Sequence, residues 1–505
     1  MKPAANEALW FRVAVVGAVL ISIALRVIWL QRLPGVNADE AWFGLSALAL
    51  LDGDPHWLTP NQRLGNPFFI VLAAAVHLLM EPSVLALRVP AVLSGVVLIL
   101  GSGWLARSLY PRVGMVAVAF VVLIACSPVN VGYARLGWGA SQSVLFALPP
   151  LYFAWRGHTP LTLLAVGAAC LVHPFNAFLA IIVAPLLLPT LWERLRSGNA
   201  ACRLAALAAC GLLMLLLFLG RNFLDGALDH WISVIPERLT RPARWLRFGT
   251  NVLQLTSGTT VNEYLVGARY YAAASDLLML GLLFATVAGS VRATWSRRER
   301  LLLVGLAFSL VAFYLLAGNR AIEAGLERYA LFLVAPIYLL VAIAIGKLAE
   351  EKPARARALV LALGCVLLFA SGWGQLGALH ATEGKHAAPT LKTAAREPKW
   401  AAYAALRGEI APTAERPLLI VAQDYWLYWP LAYLAHEDPT IVVERMGERS
   451  GKPHAGPIAA VVYADTAAQE SLDRAEGWAE LAASPIAGGA RAALYRLYLR
   501  ASPPP

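Results

Sequence analysis

The sequence predicts an all-α polytopic membrane protein carrying a small α/β domain at its C-terminal end. Three observations lead there. The 505-residue chain is 59% hydrophobic and only 14% charged, with a mean hydropathy of +0.61, whereas a soluble globular chain carries about 25% charged residues. Apolar stretches approaching the roughly 20 residues that a bilayer core requires recur from residue 10 to residue 376. From residue 417 onward the pattern changes to short β-rich runs separated by helical ones.

About eleven spans are expected, near residues 10–30, 84–106, 113–129, 138–155, 159–173, 176–192, 202–220, 275–292, 300–317, 329–346 and 357–376. Alternate turns are basic: Arg107/Arg112, Arg156, Arg194/Arg196/Arg203, Arg292/Arg297/Arg298/Arg300 and Lys347/Lys352/Arg355/Arg357. Short basic turns stay in the cytoplasm, which puts the N-terminus inside. The loop after the first span, the loop 221–274 and the tail then lie outside. Residues 39–51 and 67–80 are apolar but short, and counting the second as a span would place the next basic turn outside. Both are expected as interfacial helices on the outer surface. The first span shows no small-residue cleavage site and keeps Arg26, as an uncleaved anchor would.

Three regions follow: a membrane module over 1–376, a polar linker over 377–416, and an outer α/β domain over 417–505. In the last, strands are expected at Pro417–Ala422, Thr440–Glu444, Ile458–Tyr463 and Ala492–Leu499, with helices around Tyr425–His436 and Ala467–Ala482. The cluster Tyr425-Trp426-Leu427-Tyr428-Trp429 suits either a domain core, a foot on the membrane or a platform for sugar rings.

The net charge of +11 is largely the topological signal just described, so no nucleic-acid partner is expected. The remaining basic residues cluster in the outer loop: Arg221, Arg238, Arg241, Arg244, Arg247 and Arg269. All five cysteines (Cys126, Cys170, Cys202, Cys210, Cys365) fall in or beside apolar spans without a C-x-x-C, which argues against disulfides and thiolate metal sites. The chain has no P-loop, no G-x-G-x-x-G after a strand and no H-E-x-x-H, so a built-in ATPase is excluded.

The chemistry-bearing feature is Asp39-Glu40, in Val36-Asn37-Ala38-Asp39-Glu40-Ala41-Trp42 just past the first span. One account is local: Asn37 as N-cap with Glu40 at N3 forms a capping box, and acids at a helix start complement its dipole. The other is functional: two acids beside an interfacial helix sit where a general base or a cation ligand would act. The residues alone leave both open.

Further stretches carry a family resemblance. Asp39-Glu40-Ala41-Trp42 follows the first span, and Asn66-Pro67-Phe68-Phe69 opens the second interfacial helix. Leu87-Arg88-Val89-Pro90-Ala91-Val92-Leu93-Ser94-Gly95 enters a span, followed by Arg107-Ser108-Leu109-Tyr110-Pro111-Arg112, Ser127-Pro128 and Tyr133-Ala134-Arg135. Glu327-Arg328-Tyr329-Ala330-Leu331-Phe332-Leu333-Val334-Ala335-Pro336 precedes a late span. In order and spacing these resemble the GT-C glycosyltransferases, specifically the protein O-mannosyltransferase and aminoarabinose (lipid A) transferase superfamily, over about the first 160 residues closely and the remainder by architecture.

The resemblance implies an inverting glycosyltransferase of the bacterial inner membrane. It would move a sugar from a polyprenyl-phosphate donor to a lipid, glycan or protein acceptor on the outer face. A non-catalytic protein that binds or transports lipid-linked glycans is the alternative. Asp39 matches the family's base, and Glu40 would support it by orienting the acceptor or a cation. Arg328, Arg88, Arg135 and Tyr329 would hold the lipid phosphate, and Asn66 and Trp42 would serve the acceptor or the helix entry. The chain departs from the family pattern twice. Asn66 stands where the aminoarabinose branch has an acid, and Arg135-Leu136-Gly137-Trp138-Gly139-Ala140-Ser141-Gln142 has no acid. Metal-independent catalysis is therefore expected, with a weakly held divalent cation on Asp39 and Glu40 alone as the other possibility.

Other residues keep two readings. Arg88 and Arg26 either snorkel or serve function. Arg328 is either a phosphate ligand or a structural partner of Glu327 or Glu323. His173-Pro174 reads as a kink before a ligand, and Arg238–Arg247 as an amphipathic helix on anionic lipid.

Overall fold

The computed structural model describes residues 5–60, 64–196, 211, 227–261, 272–292, 294–318, 322, 325–350, 387–388, 393–394, 399–448, 454, 456–463, 466–481 and 495–500. Five of the described helices are long and apolar enough to cross a membrane: Val84–Leu109, Pro174–Glu193, Ala273–Ser290, Arg297–Ala317 and Leu331–Ala349. Val15–Val27, Gly114–Cys126 and Thr159–Val172 are apolar but shorter. The expected spans 202–220 and 357–376 lie outside the described residues. The expected span 138–155 is broken into a 3-10 turn, Gly139–Gln142, and short helices Ser143–Phe146 and Leu148–Trp155. Its second helix opens on Pro149-Pro150, which lack the N–H that an uninterrupted helix would use.

The Gly114–Cys126 helix is the axis of the bundle, buried at every position from Val116 to Cys126. It packs against Val334–Glu350, Val84–Leu109 and Ala5–Val27. Small residues let these helices close up. A Cβ on Gly346 would lie 2.4 Å from Val116, and one on Gly305 would lie 2.0 Å from the Ile182 carbonyl oxygen, which is the small-residue packing typical of membrane helices.

The two ends of the bundle differ. At one end Tyr110, Glu299 and Lys347 converge, with Tyr110 Oη and Lys347 Nζ donating to Glu299 at 2.8 and 2.6 Å. These residues belong to three of the turns that the sequence marks as basic, so those turns share a side. The Val84–Leu109 helix, 26 residues and so about 39 Å long, runs from there to the opposite end. There it meets the Ala38–Leu51 and Pro67–His77 helices, the two expected as interfacial.

That opposite end is organised by buried charge. Asn37 and Glu40 form the capping box of the Ala38–Leu51 helix, as the local account of the sequence requires. Both Glu40 oxygens are fully committed: Arg88 Nε donates at 3.0 Å and Nη2 at 3.3 Å, the Gly137 N–H at 2.8 Å and the Asn37 N–H at 3.0 Å. The Arg88–Glu40 pair is wholly buried. Gly137 fits because its Cα faces the Leu87 carbonyl, where a Cβ would come within 2.2 Å of the oxygen. Arg135, also sealed, donates to the carbonyls of Leu25, Arg26 and Leu33. Arg26 donates to the carbonyls of Ser22 and Ala125 and to the Ser22 hydroxyl.

The C-terminal domain has a five-stranded sheet in the order Ile441–Arg445, Leu418–Ala422, Ile458–Tyr463, Tyr495–Arg500, Trp478–Glu480. The first three strands are parallel and the last two pairings antiparallel. The Tyr425–Leu434 helix is the crossover between the first two strands in sequence. Two expectations change here. The Lys399–Ile410 helix, within the segment expected as linker, buries Ala402, Tyr403 and Leu406 in this domain's core. The helix expected over Ala467–Ala482 stops at Arg474, because Gly477 takes a positive φ of 83° and the chain turns into the Trp478–Glu480 strand.

The domain is docked on the membrane module. Tyr433 bonds His77 Nε2 at 2.9 Å and the Ser83 N–H at 3.0 Å, and Lys399 donates to the Val36 carbonyl at 2.8 Å. A mixed apolar cluster of Val36, Ala41, Leu48, Val84, Leu87 and Tyr433 fills the junction. Replacing Glu40 with Gln removes the carboxylate that, among the described residues, pairs with Arg88 and leaves a buried charge uncompensated. Thermal melting in detergent should show Glu40→Gln destabilised by about 3–5 kcal/mol.

Candidate active site

Neighbours in the Ala38–Leu51 helix point to opposite places. Glu40 turns inward, whereas Asp39 retains exposure at the helix start, where its N–H is held by Asn37 Oδ1 at 2.7 Å. Two other elements act on Asp39, and a third supports one of them. From the C-terminal domain, the Tyr425 hydroxyl donates to Asp39 Oδ1 at 2.9 Å. From the turn before the Leu331–Ala349 helix comes the positive charge of Arg328, which acts on both Asp39 and Tyr425. From the loop before the Gly139–Gln142 turn comes Trp138, whose ring lies under Arg328.

Arg328 is shaped by aromatics. Its guanidinium lies 4.8 Å from the Trp138 ring centroid and 4.9 Å from that of Tyr329. It also donates to the Tyr329 hydroxyl at 3.2 Å and towards the Gly325 carbonyl at 3.4 Å. Cation–π packing holds the fork in one plane without neutralising it. Glu327 does not complete an ion pair with it. That carboxylate accepts from the Gly325 N–H at 2.8 Å and the Tyr133 hydroxyl at 3.3 Å, and burial pushes its pKa up to about 7. Glu323, the other structural partner considered, lies outside the described residues.

Burial raises the Asp39 carboxyl above the ordinary carboxylate range, and Glu40 adds to that. The Arg328 charge and the Tyr425 hydrogen bond oppose the rise. The Tyr425 phenol is itself pushed upward by burial and by Asp39, so it is the donor. A carboxylate of raised basicity, half-exposed and facing a planar cation, can take a proton from a hydroxyl while the cation holds an anion.

The expected site residues therefore divide. Asp39, Arg328 and Tyr329 come together. Glu40 and Arg88 spend their polar groups on each other and on the backbone, and Arg135 donates to backbone carbonyls. Their donors and acceptors point into protein, so they position the site and do not line it. With Glu40 saturated, the two-carboxylate cation site considered from sequence is not formed. Among the described residues, no three His, Cys, Asp or Glu side chains are grouped to hold a metal ion. Asn66 caps the Pro67–His77 helix through Phe69 N–H and donates to the Gly139 carbonyl and Gln142 Oε1, each at 2.9 Å. Trp42 is buried with its ring against Gly65, where a Cβ would lie 2.6 Å away. Both act at the helix entry. His173 ends one helix and caps the next turn by accepting from Phe175 N–H.

Tyr425 and Tyr133 were not anticipated at this site. Tyr425 stood in the aromatic cluster already singled out. The one clue to its position was Asp424 between a strand and that cluster, since an N-cap fixes where the helix begins.

No family model matches the chain, and no curated protein matches it in sequence. Among solved structures, ArnT from Cupriavidus metallidurans bound to undecaprenyl phosphate is similar, with a TM-score of 0.51 and 18% identity over 98% of each chain. The apo state of the same ArnT aligns over the same share at a TM-score of 0.43 and 15% identity. The likeness spans both the helical bundle and the C-terminal sheet: this chain has the GT-C fold of ArnT.

Proposed function

We propose that the protein is an inverting glycosyltransferase that takes a sugar from a polyprenyl-phosphate donor and delivers it to an acceptor hydroxyl or amine on the outer face of the membrane. The observation that carries this is that partly exposed Asp39 and Arg328, brought from distant parts of the sequence to one end of a membrane bundle, lie close enough for the charge of Arg328 to act on Asp39, with Tyr425 bonded to the same carboxylate. The shared fold supports it, and so does the undecaprenyl phosphate bound by that ArnT.

In this scheme Asp39 takes the proton of the acceptor. The acceptor atom forms its bond to the anomeric carbon from the face opposite the phosphate, and the carbon–oxygen bond to the phosphate breaks with its electrons. Polyprenyl phosphate leaves carrying more negative charge than it had as a diester. A cation beside it therefore stabilises the transition state more than the ground state. Arg328 supplies that cation in a planar form suited to two phosphate oxygens.

Release of polyprenyl phosphate coupled to sugar transfer tests the reading. Asp39→Asn should abolish transfer while the protein keeps its wild-type melting temperature. A fully active Asp39→Asn protein would make Asp39 a helix-start residue and the mechanism wrong. Binding of a lipid-linked sugar without turnover by the wild type would favour the non-catalytic alternative.

Arg328→Ala should lower single-turnover transfer by about 10²-fold or more, the scale of losing one oriented donor. Arg328→Lys should recover only part of it, lacking the planar fork. A variant that melts early yet turns over normally when folded would instead make Arg328 a structural residue.

A further inference from the structure

The C-terminal domain contributes a group to the site. The chain leaves the Leu418–Ala422 strand for its neighbour Ile441–Arg445, then crosses back to pair Ile458–Tyr463 on the other side. Strand order reverses there, and in open α/β sheets ligand sites lie outside the carboxyl ends of the strands at such a point. The residues at this place are Gln423, Asp424, Tyr425 and Tyr463. Gln423 Oε1 accepts from the Tyr463 N–H at 2.7 Å, and Asp424 Oδ1 accepts from the N–H groups of Trp426 and Leu427 at 2.9 and 3.3 Å. Tyr425 is thus fixed at the first helical position, packed beside Trp426 and Trp429 at 5.4 and 6.1 Å between centroids. The far end of the same helix is tied to the membrane module by Tyr433.

We propose that Tyr425 is a positioning residue for the Asp39 base, through which the C-terminal domain completes the active site. This rests on the transferase reading above. The phenol occupies Oδ1, and Oδ2 accepts no hydrogen bond from any described residue. The acceptor proton is therefore directed to Oδ2. The contact also favours the ionised form of Asp39 against burial, because a donor stabilises the charged form. The charged groups around Asp39 are Arg328 opposite and Glu40 on its own helix, the latter neutralised by Arg88 from the Val84–Leu109 helix. His77, from the second interfacial helix, is bonded to Tyr433.

The test uses the full-length protein with Tyr425→Phe, which keeps the ring contacts and removes only the hydroxyl. We expect kcat to fall about tenfold, the effect of losing one hydrogen bond to a charged group, with the KM for the polyprenyl donor unchanged. The acid limb of the pH–rate profile should move to higher pH, since Asp39 then protonates sooner as pH falls. Tyr433→Phe, which loosens domain docking without touching Asp39, should lower the melting temperature and leave the pH profile in place. An unshifted pH profile for Tyr425→Phe, or a loss that only follows its melting temperature, overturns the inference.

A second readout does not need turnover. The infrared band of the protonated Asp39 carboxyl, assigned by its absence in Asp39→Asn, should titrate at higher pH in Tyr425→Phe than in the wild type. An unmoved midpoint overturns the role of Tyr425 even where transfer depends on Asp39. A shifted midpoint in a protein that transfers no sugar keeps the contact and removes the transferase reading.

Discussion

The end of this molecule that carries the site depends on one buried ion pair, Arg88–Glu40. Four donors converge on the two oxygens of Glu40, and they come from three separate stretches: the start of the Ala38–Leu51 helix, the Val84–Leu109 helix and the loop at Gly137. A buried carboxylate is stable only when paired and hydrogen-bonded throughout. That requirement fixes the azimuth of the helix on which Asp39 is the preceding residue. With Glu40 turned inward, Asp39 turns toward Tyr425 and Arg328. The chemistry of one acid is set by the burial of the other.

A second consequence concerns charge balance. Arg26, Arg88 and Arg135 lie near one another in sealed surroundings with Glu40 as the carboxylate among them. Burial, then the charges of Arg88 and Arg26, pull Arg135 down to about 9. Backbone carbonyls accept from the three arginines as well: Leu30 from Arg88, Ala125 of the axial helix from Arg26, and Leu25, Arg26 and Leu33 from Arg135. Arginine suits this role because its fork reaches several carbonyls in one plane. Arg88 and Arg135, expected from the family resemblance to hold a phosphate, thus act as struts beneath the site, whereas Arg328, stacked on Trp138 and Tyr329, keeps partial exposure.

The C-terminal domain is more than an appendage. Gly44 lacks the Cβ that would come within 2.7 Å of Tyr433, so the crossover helix lies directly on the Ala38–Leu51 helix. The apolar cluster there and the Lys399–Val36 bond fix the domain's orientation. Tyr425 reaches Asp39 as a result, and the Asp39–Arg328 pair on the membrane module acquires a partner 386 residues beyond Asp39 in sequence.

The sequence by itself determined what period, composition and caps encode. Five of the apolar spans, the basic alternation, the capping box at Asn37–Glu40, the helix entry at Asn66 and four of the five strands of the C-terminal sheet follow from local pattern, because hydrophobic periodicity and end-capping act over a few residues. The stretches that carry Asp39, Arg328 and Tyr329, which the fold brings together, also stand out in the sequence through motif order. What only the tertiary structure decided was the direction of each polar side chain. Whether Glu40 or Asp39 turns toward Arg328, whether Arg88 meets a lipid or a carboxylate, and whether an aromatic cluster is core or site depend on partners from remote segments. Those partners are chosen by the cost of burying charge, which no short stretch of sequence contains.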